Sequence, residues 1–193
     1  MQETKAVLDV GCGPYKRPGA VGLDILPLPG VDVVHNLGVY PYPFAANSFD
    51  EIYCYHVLEH VDDMINTVKE LYRIMKPGGV LFVRVPHASC CTTAWGDPTH
   101  KRFFVHRSFE HFDSRSDHYR FGTDFRIRRR RLHYFLYEGV RNGVVLQRLP
   151  LWLNSVINKL ANINLTTQAI FERLLCYYVG GFEEVYFEMV AHK

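Results

Sequence analysis

The stretch V-L-D-V-G-C-G-P-Y-K-R-P-G-A-V-G-L-D, residues 7–24, decides the fold. It begins with an apolar run around a single carboxylate, Asp9, a pattern typical of a strand that is buried on both faces. Gly11 and Gly13 then break the strand. Because glycine adopts positive φ and has no Cβ, this turn lets the backbone approach a ligand closely and direct its N–H groups toward it.

A second apolar stretch, residues 20–23, ends at Asp24. In open α/β sheets, ligands bind outside the carboxyl ends of the strands, so the glycine turn and Asp24 should face one crevice. A carboxylate there accepts hydrogen bonds from both hydroxyls of a ribose. The glycine turn and Asp24 together therefore predict a nucleoside site. A pyrophosphate is disfavoured, because Lys16 replaces the third glycine of the dinucleotide fingerprint. Pro14 and Pro18 also leave no room for the usual crossover helix.

Together, D-V-G-C-G and the acid at the next strand end resemble the first two motifs of class I S-adenosylmethionine-dependent methyltransferases. Residues 47–61, N-S-F-D-E-I-Y-C-Y-H-V-L-E-H-V, are similar to the fourth strand of that family and the turn after it. The motifs cover residues 6–86. The resemblance implies an α/β fold, a Rossmann-like, doubly wound and mostly parallel seven-stranded sheet with a C-terminal antiparallel edge and a helical insertion.

The resemblance also implies a cofactor, S-adenosyl-L-methionine, which leaves as S-adenosyl-L-homocysteine. The residues expected to hold it lie within or directly after the first four strands. They are Asp9, Gly11, Cys12, Gly13, Asp24, Ile25, Asn36, Leu37 and His56. Asn36 follows a short strand predicted over residues 31–34 and has two interpretations. It forms hydrogen bonds with the edge of an adenine, or it closes the strand as a turn residue. Cys12 is interpreted as a small packing residue, and His56 as part of the wall around the methionine moiety.

The letters H-V-L-E-H, residues 56–60, support a competing hypothesis. H-x-x-E-H spells a zinc hydrolase motif in which two histidines one helical turn apart bind the ion and the glutamate acts as base. That motif requires a helix, whereas His56 follows the strand-like residues 51–55. We therefore interpret Glu59 and His60 as capping or supporting groups and predict no metal ligands. A zinc hydrolase built from His56, Glu59 and His60 is the alternative.

The next segment, residues 62–75, carries apolar side chains at intervals of three and four, which predicts an amphipathic helix with Asp62 and Asp63 at its N-terminus. K-P-G-G, residues 76–79, ends the helix with a tight turn. The apolar, β-branched residues 80–85 then predict a central parallel strand. This passage of helix, K-P-G-G and strand also resembles the methyltransferase family.

The loop after that strand should meet the methyl acceptor, since it leaves the carboxyl edge of the sheet. It contains A-W-G-D-P-T-H-K-R-F-F, residues 94–104. Asp97 and His100 are the predicted catalytic residues, with His100 taking a hydroxyl proton and Asp97 orienting it. The alternative is local turn chemistry at both positions. A base is not obligatory, because such transfers depend mainly on alignment of donor and acceptor.

The arginines of the next strand-like segment, Arg126 and residues 128–131, have three interpretations. They protect an edge strand from aggregation, or they grip a phosphorylated acceptor such as a sugar nucleotide, or they bind RNA. Residues 151–181 show two helical patterns, and residues 185–191 alternate as a final strand. The broad apolar face of the helical segment suggests a lid, a membrane-surface contact or a homodimer interface.

Composition limits the class of protein. With 193 residues and 48% hydrophobic content, the chain is predicted to form one domain. We divide it into a cofactor-binding core, residues 1–86, an acceptor-side loop region, residues 87–124, and a helical insertion or lid, residues 151–181. The net charge of +2 gives no reason to expect nucleic acid. Five cysteines without C-x-x-C spacing predict reduced thiols in a cytoplasmic protein, and no leader or membrane-spanning run is found.

The predicted function is O-methylation of a sugar or another small hydroxylated acceptor. The shortened first crossover and the D-P-T-H-K-R-F-F loop resemble small methyltransferases of polysaccharide biosynthesis clusters. Besides the zinc hydrolase, the alternatives are a non-catalytic module that binds a nucleoside and, within the same fold, an RNA methyltransferase.

Overall fold

The computed structural model describes residues 5–134, 151–179 and 181–193. Within these ranges the chain forms one seven-stranded sheet. The strands are β1 (Val7–Val10), β2 (Val21–Asp24), β3 (Val33–Val34), β4 (Phe49–Tyr55), β5 (Met75–Pro86), β6 (Phe125–His133) and β7 (Glu184–Ala191). The predicted insertion, residues 151–181, is described except for Gly180.

The helices occupy two parts of the chain. They are α1 (Met64–Ile74), α2 (Leu151–Ala161), α3 (Leu165–Ile170) and α4 (Cys176–Val179). A π-helical turn, Phe171–Leu175, joins α3 to α4, and a short 3-10 helix spans Glu110–Phe112. No helix of the described residues is long and apolar enough to cross a bilayer.

The strand order is β3-β2-β1-β4-β5-β7-β6, which confirms the predicted fold class. Strands β1 to β5 are parallel, β7 is antiparallel to β5, and β6 is antiparallel to β7. Strand β6 therefore runs in the same direction as β5. As a result, Pro86, Glu184 and His133 lie side by side at the carboxyl edge of the sheet, where the ligand site is expected.

Two strand boundaries differ from the prediction. Strand β3 contains only Val33 and Val34, because Asp32 is used in a turn contact and its carboxylate accepts hydrogen bonds from Gly22 N and Lys16 Nζ. Strand β5 begins at Met75, so the K-P-G-G segment belongs to the strand instead of preceding it. Met75 pairs with Phe49 and regular pairing resumes at residue 80, which makes the segment an irregularity of the ladder.

The amphipathic helix is confirmed as α1. Asp63 caps it, since its Oδ1 accepts a hydrogen bond from Asn66 N at 2.9 Å. The helix buries the face formed by Thr67, Val68, Leu71 and Ile74. The crossover between β1 and β2 contains no helix, as the two prolines there predict.

The arginine-rich segment is strand β6 at the edge of the sheet, as one of its three interpretations predicts. Arg128 and Arg129 form ion pairs with Glu188, and Arg130 forms one with Glu110. Arg128 and Arg129 share the one carboxylate of Glu188 and are 55% and 53% exposed, whereas Arg130 is 12% exposed. The ion pairs therefore account for these groups only in part, and the phosphate and RNA interpretations stay predictions.

The helical insertion between β6 and β7 is fastened to the acceptor loop by Glu172. Its Oε1 accepts hydrogen bonds from His87 Nε2 and His106 N, both at 2.6 Å, and its Oε2 contacts His106 Nδ1. Burial alone would raise the pKa of Glu172, but these partners lower it to about 2. The insertion leaves large apolar side chains exposed, among them Trp152, Leu174 and Tyr177.

Candidate cofactor and acceptor site

The glycine turn after β1 has the predicted backbone. Gly11 and Gly13 have φ of 64° and 54°, values that favour glycine. Gly11 N donates to Leu23 O at 2.7 Å, which ties the turn to β2. A Cβ on Gly11 would overlap Cγ2 of Val57, the second residue after β4. The turn therefore fits closely between β2 and the loop that follows β4.

Asp24 is placed at the end of β2, directly beside this turn. Its Oδ2 accepts a hydrogen bond from Gly13 N at 2.9 Å, and its Oδ1 accepts one from Leu26 N at 3.0 Å. A carboxylate has about four acceptor positions, so acceptor capacity remains for two ribose hydroxyls. The next side chain, Ile25, is 59% exposed and offers an apolar surface for a base.

The other residues predicted around the nucleoside are held by local contacts. Asp9 Oδ2 accepts a hydrogen bond from Arg17 N at 2.9 Å. Burial, together with the nearby carboxylates of Asp9 and Asp24, raises the pKa of the Cys12 thiol. Cys12 therefore stays protonated at neutral pH, which agrees with its interpretation as a packing residue. All five cysteines are free.

Asn36 and Leu37 follow β3. Asn36 Oδ1 accepts a hydrogen bond from Gly38 N at 2.9 Å, which is the turn interpretation of this residue. Leu37 packs against the core, and its carbonyl oxygen accepts a hydrogen bond from the Tyr42 hydroxyl at 3.1 Å. Contact of either side chain with an adenine stays a prediction.

His56 stands at the carboxyl end of β4 with φ of 55°, in the left-handed region. Its Nε2 lies 2.7 Å from Glu184 Oε1, and its Nδ1 lies 3.3 Å from Glu59 Oε1. Burial alone would lower the pKa of His56, but the two carboxylates raise it to about 9. Residues 56–60 form turns and no helix, so the helical zinc motif of a hydrolase is not formed.

Glu184 is a site residue that the sequence analysis missed. It is buried, and His56, Arg84 and His133 surround it. Burial alone would raise its pKa, but the adjacent His133, His56 and Arg84 lower it to about 2. Sequence alternation predicted the last strand over residues 185–191 and left Glu184 just outside it. Nothing local indicates that β7 pairs with β5 and brings Glu184 to His56.

On the acceptor side, the structure brings His100 and Asp97 together. His100 Nδ1 donates to Ala94 O at 2.8 Å, so Nε2 carries the free lone pair of the neutral ring. Asp97 Oδ1 accepts hydrogen bonds from Thr99 N at 2.8 Å and Thr99 Oγ1 at 2.6 Å. Asp97 Oδ2 lies 3.9 Å from His100 Nε2. Both residues thus take part in turn chemistry, and His100 keeps an unshared nitrogen.

Arg102 fixes the acceptor loop to the turn after β4. Its guanidinium donates to the carbonyl oxygens of Leu58, Val61 and Asp62 at 2.5–2.8 Å. The loop therefore holds its position relative to β4 through three backbone contacts.

An aromatic surface lies on the same loop. The rings of Trp95 and Phe103 stack with centroids 3.7 Å apart, and Trp95 Nε1 donates to Ala88 O at 3.1 Å. Trp95 is nevertheless 60% exposed. Trp95 directly follows Ala94, whose carbonyl oxygen accepts the hydrogen bond from His100 Nδ1, so the stack and His100 belong to the same loop.

Comparison with known proteins gives a consistent result. Residues 24–83 match the family described as methyltransferase domain. A probable S-adenosylmethionine-dependent methyltransferase of Mycolicibacterium smegmatis is 40% identical over 60 residues, which are 31% of this chain and 23% of that protein. The chain thus matches about a quarter of the length of this curated relative.

Solved structures share the fold over almost the whole chain. A S-adenosylmethionine-dependent methyltransferase from Archaeoglobus fulgidus is 16% identical, with a TM-score of 0.59 over 98% of this chain and 87% of that one. One from Mesorhizobium loti is 14% identical, with a TM-score of 0.53 over 96% of this chain and 90% of that one. At such identities the likeness concerns the fold.

Proposed function

We propose that this chain, which is a class I S-adenosylmethionine-dependent methyltransferase by its fold and its matched domain, methylates a hydroxyl group of a saccharide. The observation that carries the saccharide is the exposed Trp95 and Phe103 stack on the loop that also carries His100. An exposed aromatic face with a partly negative π surface suits the C–H face of a sugar ring.

The residues present fit the cofactor. The space that a Cβ on Gly13 would take is open, so a ligand can approach the backbone of the glycine turn there. Asp24 keeps acceptor capacity for the ribose hydroxyls, and Ile25 offers an apolar surface to the adenine. When bound, S-adenosylmethionine supplies an electrophilic methyl group. His56 would border its methionine part at the end of β4.

In this proposal His100 activates the acceptor hydroxyl. Its Nδ1 donates a hydrogen bond to Ala94 O, which fixes the orientation of the ring. Its Nε2 is therefore free to take the hydroxyl proton. Asp97 holds the turn through Thr99 and places a negative charge near the ring as that proton arrives. The insertion, fastened through Glu172, would exclude water above the loop.

The test is transfer of tritiated methyl groups to a panel of monosaccharides, oligosaccharides, sugar nucleotides and transfer RNA. We expect labelled saccharide from the wild type and a loss of about 100-fold in kcat for His100→Gln. His192→Gln, which alters an exposed histidine at the opposite edge of the sheet, should cause no loss. Labelled RNA without labelled saccharide would contradict the proposal. Failure to bind S-adenosylhomocysteine in calorimetry would contradict the whole activity and leave only a module of another function.

A further inference from the structure

Three side chains with metal-binding atoms converge where the acceptor loop meets the turn after β4. Glu59, His60 and His100 each place one donor atom within 4.8 Å of the others. The rings of His60 and His100 lie edge to face, with centroids 4.8 Å apart. This group differs from the hydrolase motif considered from sequence, because His56 faces Glu184 instead.

Both histidines have a free Nε2. His100 Nδ1 donates to Ala94 O. Thr99 Oγ1 donates its only hydrogen to Asp97 Oδ1 at 2.6 Å, so its contact of 2.9 Å with His60 Nδ1 requires the hydrogen to be on that nitrogen. Each ring therefore presents the neutral Nε2 lone pair that metal ions bind, with Nδ1–H held by an oxygen acceptor.

Glu59 is the independent observation that points to a ligand. Its side chain is 0% exposed, and neither carboxylate oxygen has a hydrogen-bond partner. The nearest cationic group is His56 Nδ1, 3.3 Å from Oε1 but outside hydrogen-bond geometry. The carboxylate thus has an ionic contact with His56 but no hydrogen bond, and both of its oxygens keep lone pairs that a bound cation would satisfy.

We propose that Glu59, His60 and His100 bind a divalent first-row transition ion of the Zn²⁺ type. Two imidazoles and one carboxylate suit Zn²⁺ and its neighbours, whereas Mg²⁺ and Ca²⁺ prefer oxygen ligands alone. Donors around tetrahedral Zn²⁺ lie about 3.4 Å apart, so binding would draw the donor atoms together by up to about 1.4 Å. Three protein ligands leave a fourth coordination position open.

The role of this ion rests on the proposed methyl transfer, but its binding does not. An acceptor hydroxyl at the open position would become more acidic and lose its proton to solvent. The oxygen would then form the new C–O bond while the methyl–sulfur bond breaks. Since Nε2 of His100 would be a ligand, the ion replaces His100 as the group that activates the hydroxyl.

The test measures metal binding without cofactor or acceptor. Protein freed of metal with a chelator is titrated with Co²⁺, followed by visible absorption, and with Zn²⁺ in competition with a chromophoric chelator. We expect one equivalent of either ion, and a loss of at least about 100-fold in affinity for Glu59→Gln and for His100→Gln. His192→Gln is the matched control, since His192 is exposed and follows β7 at the opposite edge of the sheet.

Melting curves identify any variant that fails to fold, and the second variant then carries the test. Absence of stoichiometric binding, or equal affinity in both variants and the wild type, would overturn the metal site. S-adenosylhomocysteine binding is measured on the same samples. If no metal binds but the cofactor does, the metal site is wrong and the proposed methyl transfer, with His100 as the base, is unaffected. Chelation that abolishes transfer, restored by Zn²⁺, would support the ion as the activating group.

Discussion

The carboxylate of Asp24 accepts a hydrogen bond from the backbone nitrogen of Gly13 at 2.9 Å and so joins the end of β2 to the glycine turn after β1. Two features that the sequence separates by eleven positions thus form one wall of the crevice. The same carboxylate is proposed to bind the ribose, so it both shapes the turn and contacts the ligand.

Replacement of this carboxylate should abolish most cofactor binding. We expect Asp24→Ala to weaken S-adenosylhomocysteine binding about 100-fold, because two hydrogen bonds to a charged group together contribute about 3 kcal/mol. Isothermal calorimetry measures the effect. Asp117→Asn, which changes an exposed carboxylate, should bind as the wild type does. Equal affinity of Asp24→Ala and the wild type would contradict the assigned cofactor site.

The glycine turn offers a matched pair of substitutions. Both glycines have positive φ, but only a Cβ at Gly11 meets a neighbour, Val57, whereas a Cβ at Gly13 has nothing within 4 Å. We expect Gly13→Ala to lower the free energy of unfolding by about 1 kcal/mol and Gly11→Ala by about 3 kcal/mol.

Urea denaturation measures both values. Val57→Ala should restore part of the stability that Gly11→Ala loses, since it removes the overlapping Cγ2. Equal losses at the two glycines, or no rescue by the second substitution, would show that the turn is looser than described.

Glu172 should make the free energy of unfolding depend on pH. Its pKa is lowered to about 2, so its contribution is present above the ordinary glutamate pKa of 4.5 and is lost as the pH falls toward 2. The difference corresponds to about 3 kcal/mol. We expect Glu172→Gln to lower the free energy of unfolding by about that amount at pH 7 and to match the wild type near pH 2.

Urea denaturation across this pH range tests the prediction, and hydrogen exchange locates the effect. Amide protons of residues 151–179 should lose protection in the variant at pH 7, because Glu172 joins this insertion to His87 and His106. A constant difference between the two proteins at every pH would contradict the assignment.

The stack of Trp95 and Phe103 should affect binding of the saccharide acceptor and leave the rate of methyl transfer almost unchanged. We expect Trp95→Ala to raise KM for the saccharide about 10-fold with little change in kcat, since stacking energies of about 1 kcal/mol are lost. Trp95→Phe should retain much of the affinity. Trp152 is 66% exposed on the insertion, so Trp152→Ala is the matched control. A similar change of KM in both alanine variants would remove the stack from the acceptor site.

At several positions the sequence allows two roles for one residue, and only the structure shows which contacts form. Asn36 fits both an adenine contact and a turn, and the structure shows the turn contact with Gly38 N. At His100 the sequence D-P-T-H allows both base and turn chemistry. The structure shows the turn contact of Nδ1 with Ala94 O, and the base role stays a prediction. The polar groups of such residues suit either role. The neighbouring sequence does not show which partner lies within hydrogen-bonding distance.

The sequence by itself determined the strand and glycine turn at residues 7–13, the acid after β2, helix α1 and the closing strand. Burial periodicity, helix capping and the φ freedom of glycine depend on nearby residues, so they can be read locally. Only the tertiary structure decided that His56 meets Glu184 across 128 positions, that Glu172 reaches His87 across 85, and that His60 lies against His100. Those contacts depend on strand order, register and loop closure, which are set by the packing of the whole chain.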